Sequence, residues 1–488
     1  MRKFKKILAV CVCFLLAVSG AACGRSNIET DERGVTVEDN KVYVGNYSEK
    51  ELIKVAYFDV GYGDRWIYEQ AKDFVYENQE YAIFLTADSS LVTNYSNKLE
   101  AGKNLSDLYI TPNADWQAFS ASGWLEPLDD VYKAKPDGED GLAVGDKLIG
   151  QYKTAGIGTR QGEDHYYVLP WTHMTTGICY NVELFERYGI NPPETMAEFE
   201  TVCNTIIEKS TAEGKRIAPI VFPGKIGGYL DYLGMSWWLQ QVGVEGMKQY
   251  FAFDTVEVYN PENPLSAAKV RALQEFEKYF GSGEDGLAKY CLSGSMSKDS
   301  YTAQLDFING NAAMIINANW LETEMEEMIS EMDFKMKIMT VPFIDGAQKD
   351  KSGNYIDVNY AAAMFDIMSI PAKASNKDGA KKFMTFMIRD DMLRQFTLDT
   401  GTKRPFSYDV EDLKSQMTPF QLSVMEIYDK TGDNTYFDYP TGPRRYMATK
   451  FVAQDPYSAI LAGTDPVAWA ANEYEEAKVR WDKDWAIS

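Results

Sequence analysis

Histidine is nearly missing from this chain: 488 residues hold only His165 and His173. The two stand eight apart across the extended run Tyr-Tyr-Val-Leu-Pro-Trp, a poor spacing for paired metal ligands on one helix, and they leave little material for a histidine general base. The nucleophile elbow G-x-S-x-G is also absent. Its nearest relative, Gly234-Met235-Ser236-Trp237-Trp238, lacks the second glycine that the tight turn needs. Neither the phosphate loop G-x-x-x-x-G-K-[ST] nor the zinc helix H-E-x-x-H occurs. Residues 136–141, Pro-Asp-Gly-Glu-Asp-Gly, have the composition of a calcium loop but not its ligand spacing, and read as a solvated turn. No cofactor or metal is expected. Positive charge is short as well, 49 Lys and Arg against 72 Asp and Glu, for a net charge of -23. Without a basic patch beyond the first few residues, such a chain repels nucleic acid and anionic membrane surfaces. Cysteine is scarce: of six, only Cys179, Cys203 and Cys291 lie beyond the first 23 residues, too far apart for a disulfide framework.

The chain is long enough for two domains, and so for a ligand cleft between them. Its first 22 residues read as a signal peptide, with a basic start at Arg2, Lys3, Lys5 and Lys6 and an apolar run over 7–18 that is too short for a membrane span. Ser19-Gly20-Ala21-Ala22-Cys23 resembles a bacterial lipobox, with Gly20 where a branched aliphatic usually stands. That resemblance implies lipidation of Cys23 and anchoring on the extracytoplasmic face of the cell membrane. Residues 23–50 are polar with little periodicity and are expected to be a flexible tether.

From residue 51, short apolar runs alternate with amphipathic segments, which predicts an α/β fold. Strands are expected at 53–60, 81–87, 108–110, 166–169, 177–180, 218–222, 312–317, 337–341 and 365–370. Helices are expected at 65–78, 91–101, 196–209, 266–280, 321–332, 377–387 and 466–485. In the first helix Ile67, Ala71, Phe74 and Val75 share one face.

Aromatic residues are abundant, with 31 Tyr, 24 Phe and 10 Trp. Many stand with polar partners just beyond strand ends, where open α/β sheets bind ligands. Candidates after the early strands are Tyr62, Asp64 and Trp66, then Asp88, then Asn113, Asp115 and Trp116. Further along come Trp171 with His173, Tyr229 ahead of Trp237 and Trp238, and Asn317, Asn319 and Trp320. Flat rings with amide and carboxylate neighbours suit a neutral sugar, which has an apolar C–H face and a rim of hydroxyls. Acidic residues are numerous enough that a secreted carboxylate-type glycoside hydrolase or lyase stays open as the alternative.

Five stretches in order resemble the extracellular solute-binding proteins of carbohydrate ABC transporters, the maltodextrin-binding relatives. They are Gly61-Tyr62-Gly63, "DLYITPNADWQAFSASGWLEPLDD" (107–130), "LPWTHMTTGICYNVELFERYGINPPETMAEF" (169–199), "FINGNAAMIINANWLETEM" (307–325) and "AKKFMTFMIRDDMLRQFTLDTG" (380–401). The resemblance implies a two-lobed periplasmic-binding-protein-like fold with a multi-strand hinge. Lobe one is expected at 51–172 plus 345–405 and lobe two at 176–340 plus 406–488. It further implies a monomer without catalysis that hands its carbohydrate to the transmembrane subunits of a permease. The family's aromatic platform falls on Asn317 to Trp320, with Ala318 in the glycine place, and its crossover falls on Trp171 to Thr175. Where some relatives carry an acidic residue in that crossover, this chain has His173-Met174. Arg404 and Tyr446 complete the implied site.

Overall fold

The alternation of strands and helices builds two sheets, each the spine of one lobe. The computed structural model describes residues 28–112, 115–252, 254–281, 287–329, 332–361, 366–437 and 456–483. Strands β1 (Glu29–Thr30), β2 (Val35–Glu38), β3 (Lys41–Val44), β4 (Glu51–Tyr57), β5 (Tyr81–Ala87) and β6 (Leu108–Pro112) are followed by a hairpin of β7 (Ile157–Arg160) and β8 (Glu163–Tyr166). Next come β9 (Leu169–Pro170), β10 (Thr176–Asn181), β11 (Ala218–Val221), β12 (Ala312–Ala318), β13 (Met336–Met339), β14 (Asn359–Tyr360), β15 (Asp366–Ser369) and β16 (Thr435–Tyr436).

The larger sheet has the order β1-β2-β3-β5-β4-β6-β15-β9, with β4 parallel to both β5 and β6. The smaller has the order β11-β12-β10-β13. The helix Arg65–Glu77 lays Ile67, Ala71, Phe74 and Val75 into the first core, the face that the 3.6-residue period picks out. Every residue of β12 is buried, because β10 and β11 flank it and helices cover its faces. Gly177 of β10 sits where a side chain would collide with the Met339 carbonyl of β13, so only glycine lets these strands approach.

The segment expected to be a tether is corrected from residue 29 onward, where β1 pairs with β2. Val35–Glu38 and Lys41–Val44 pair with each other, and β3 pairs with β5, with Val35 and Val42 buried. Asp39 and Asn40 turn the hairpin with φ of 46° and 65°, the doubly left-handed turn that matches strand twist. The strand expected at 166–169 divides into β8 and β9. Pro170 has no N–H to donate, and β9 accordingly stands at the edge of its sheet. The helix expected at 321–332 breaks into Leu321–Glu324 and Glu326–Ile329, because Met325 leaves helical geometry (φ -112°) with its side chain buried in the second core.

Three segments join the lobes: β9 to β10, β13 through β14 to β15, and the passage from the helix Asp390–Thr400, which packs on the first lobe, to the helix Pro419–Thr431, which packs on the second. The last helix, Pro466–Lys483, returns to the second lobe, where Glu473 meets Lys269 at 2.6 Å. Among the described residues no helix is long and apolar enough to cross a membrane.

Candidate functional site

Segments that follow β4 of the larger sheet and β12 of the smaller one meet beside the crossing segments. On the first lobe, the loop after β4 bends through Gly61 (φ 94°) and Gly63 (φ 67°), conformations that favour glycine. This loop reaches the second lobe: a side chain at Gly61 would lie 3.7 Å from Trp320 Cβ, and one at Gly63 3.8 Å from Thr323 Cγ2. Trp320 is half-buried, and its ring meets Tyr232 edge-on at 6.3 Å. Tyr229 stacks obliquely on Tyr232 at 5.2 Å and faces the Trp320 indole, its hydroxyl pushed up in pKa by burial and by the nearby Glu324. Glu324 is itself pushed up by burial, while Gln304 donates to it at 2.7 Å.

On the first lobe Trp66 and Trp171 lie 5.6 Å apart, both buried, with the Trp66 indole N–H on the Gly63 carbonyl at 3.1 Å, and Arg404 rests against both rings and against Phe396. Arg404 is wholly buried. One terminal nitrogen donates to the Trp171 carbonyl at 2.8 Å, while Nε and Nη2 find no acceptor among the described residues. Burial without a paired carboxylate drives its pKa far down. Tyr62, nearly buried, keeps a hydroxyl without a hydrogen-bond partner, close to Asn319, Asp366 and Arg404. Asp366 opens β15 opposite Pro112 of β6, and burial raises its carboxyl to about 6 although the Arg404 charge opposes the shift.

Asn319 and His173 are engaged in the hinge itself. Asn319 exchanges hydrogen bonds with Thr175, giving its backbone N–H at 3.0 Å and accepting on Oδ1 at 3.3 Å. Its amide nitrogen donates to Thr402 at 2.9 Å and to the Tyr428 hydroxyl at 3.3 Å. His173 stacks on Tyr428 at 4.7 Å, accepts that hydroxyl on its carbonyl, and meets the Tyr152 hydroxyl at 3.1 Å. Burial and the Lys403 charge hold its imidazole down at about 3, so it is neutral at any physiological pH. Asn359 closes the hinge by donating to the Met174 carbonyl at 3.0 Å.

Several other candidates lie apart from this grouping. Trp237 and Trp238 are core residues of the second lobe, their indole N–H groups donated to the carbonyls of Pro342 (3.1 Å) and Leu265 (2.9 Å). Trp116 is buried beneath β7, 3.2 Å from where a side chain on Gly158 would stand. Asp88 holds Lys98 at 2.7 Å and the start of the helix Leu91–Ala101 through Ser90. Asp64 and Asp115 are exposed at helix starts. Asn317 is buried, its Oδ1 on the Ala318 N–H and its Nδ2 without a partner. Asn113, Tyr446 and Cys23 fall outside the described residues. Sequence reasoning missed Asp366, Tyr232 and Tyr428. Only Asp366 carried a local signal, a single charge in the apolar run Ala363-Met364-Phe365-Asp366-Ile367-Met368. Surface hollows of 460 and 650 Å³, one beside Arg389 and one beside Arg187, contain none of the candidates.

Two lobes built on separate sheets and joined by three chain crossings have the architecture of a receptor that closes on a solute. The chain belongs to the bacterial extracellular solute-binding proteins, whose family profile matches residues 84–392. It is 22% identical over 458 residues to the multiple sugar-binding protein of Streptococcus mutans, covering 92% of this chain and 95% of the relative. Among solved structures it resembles the GacH receptor of Streptomyces glaucescens, studied unliganded and with acarbose, at 17% identity and a TM-score of 0.61 over 89% of this chain and 100% of the other. It also resembles an ABC substrate-binding protein of Listeria monocytogenes in complex with cycloalternan, at 16% identity and a TM-score of 0.62 over 89% of this chain and 99% of the other.

Proposed function

We propose that this protein is the sugar receptor of an ABC importer, lipid-anchored through Cys23 after signal-peptide removal, and that it captures a mono- or oligosaccharide between its lobes for a membrane permease. The observation that carries the reading is the gathering of aromatic rings where the lobes meet: half-buried Trp320 with Tyr229 and Tyr232 on one lobe, against the Gly61 loop of the other, whose Trp66 and Trp171 pack around Arg404. Stacking surfaces with buried polar groups between them match both the C–H face and the hydroxyl rim of a sugar. The names of the curated and solved relatives, sugar-binding proteins and receptors of oligosaccharides, support the same ligand class. The protein acts by binding, with no chemistry of its own.

A thermal-shift screen against a glycan panel tests this, because a ligand that binds only the native state raises the midpoint. The sugars are recovered and sized afterwards. A raised midpoint with intact sugars is the expected result; shortened sugars would establish the hydrolase alternative.

A further inference from the structure

Buried charges in proteins are paired, and buried donors find acceptors. Arg404 breaks both rules. It is fully buried, and no described carboxylate lies within ion-pair distance of it. Nε and Nη2, the two N–H groups that form the side-on fork of a guanidinium, lack acceptors. Its other terminal nitrogen and its backbone N–H are committed, to the Trp171 carbonyl and to the Tyr408 hydroxyl, both at 2.8 Å, so the side chain cannot swing away to find a partner. Asp366 is complementary to it. Its backbone is clamped to the first crossing segment, accepting from the Trp171 N–H at 2.6 Å and donating to Thr172 Oγ1 at 2.9 Å. No described side chain donates to its carboxylate, although that carboxylate feels the Arg404 charge. The Tyr62 hydroxyl, also without a partner among the described residues, belongs to a ring 5.8 Å from that of Phe396, against which Arg404 rests.

We infer that Arg404, Asp366 and Tyr62 form the seat of one neutral sugar unit with two adjacent free hydroxyls, and that this pairing discriminates against sugars carrying a carboxylate or an ammonium. The inference rests on the sugar-receptor reading and narrows it. A hydroxyl both donates and accepts, so two adjacent oxygens accept from the parallel Nε–H and Nη2–H while their protons go to Asp366 and Tyr62. A uronate satisfies the fork but places a second carboxylate beside Asp366. An amino sugar satisfies Asp366 but places an ammonium beside Arg404. In a buried site either like-charge contact is costly, and only the neutral diol meets both groups.

The test uses the full chain and calorimetric titration with maltotriose, raffinose, xylotriose and triacetylchitotriose as neutral probes, and with trigalacturonate and the chitosan trimer as charged ones. Binding confined to neutral probes is expected. The tightest of them is then titrated into Arg404→Lys and Asp366→Asn. Lysine keeps the charge but lacks the fork, and asparagine keeps the shape but lacks the charge, so each change lowers affinity by about tenfold or more. Asp366→Asn also narrows the gap between the neutral probe and trigalacturonate, because the repelling carboxylate is gone. Asp366→Asn is isosteric and stays informative if Arg404→Lys misfolds, which circular dichroism reports. Equal binding of a charged trimer by the wild type, or an unchanged neutral affinity in Asp366→Asn, would overturn the inference while leaving the receptor reading in place. Failure to bind any carbohydrate would bring down both.

Discussion

Truncating Trp320 separates recognition from packing. The ring is half-buried, touches Tyr232 edge-on at 6.3 Å, and lies against Gly61 of the other lobe. A platform of this kind contributes about 2 kcal/mol or more to binding, so Trp320→Ala should weaken sugar affinity roughly thirtyfold. Its cost in stability is smaller than that of a full core deletion, about 1 to 2 kcal/mol, because part of the ring already faces solvent. Trp237 is the internal control. It is 1% exposed with its indole N–H on the Pro342 carbonyl, so Trp237→Ala removes a packed aromatic and orphans an acceptor, at about 3 to 5 kcal/mol. Urea denaturation and calorimetric titration on the wild type and both variants give four differences, and the expected pattern is crossed. A Trp320→Ala protein that binds its sugar normally yet unfolds as readily as Trp237→Ala would refute the reasoning and make the strand ending at Ala318 a packing device.

Three further outcomes are open to measurement. Cys23→Ser should move the protein from the membrane fraction into the medium or periplasm, since the acyl chains supply the anchoring energy; an unchanged fraction would exclude lipidation. Gly61 against Trp320 and the Thr323 hydroxyl on the Thr400 carbonyl at 3.3 Å are contacts between lobes, and a sugar touching both walls should favour the closed form, read as a smaller radius of gyration by small-angle scattering; no change at saturation argues for a rigid site. Finally, Asp366→Asn should stabilise the sugar-free protein at pH 7.5. Burial raises this carboxyl from 3.8 to about 6, so the folded state holds the proton more tightly than the unfolded chain. The charged form is therefore a cost above pH 6, up to about 3 kcal/mol, that fades as pH falls towards 4. Urea midpoints of the two proteins should converge at low pH, and a constant gap would contradict the assignment.

The hairpin at 35–44 shows how much more the sequence contained than its polarity suggested. Val35, Val37, Val42 and Val44 alternate with polar residues around Asp39-Asn40, the pattern of a hairpin with a left-handed turn, yet the surrounding Asp, Glu and Asn dominate the composition. An edge hairpin has one face on the core and one in water, so average polarity conceals it. The strands at 81–87 and 312–318 were legible because neither competes with a polar face of comparable length.

For the site, sequence order alone determined that aromatic residues stand beyond strand ends, because chain direction and strand length place those loops on one side of a sheet. It could not separate Trp320 from Trp237 and Trp238. All three are tryptophans near polar neighbours, and what distinguishes them is whether a backbone carbonyl of a distant segment, Pro342 or Leu265, accepts the indole N–H. Tertiary structure alone also decided that Asn319 and His173 bind the hinge, since their partners Thr402 and Tyr428 come from a third crossing segment about 80 to 255 residues away. Asp366 and Arg404 likewise became neighbours only when β15 and the segment after the helix Asp390–Thr400 met at the same crossing. Charge complementarity between residues remote in sequence is a property of the folded surface, and no local period or motif records it.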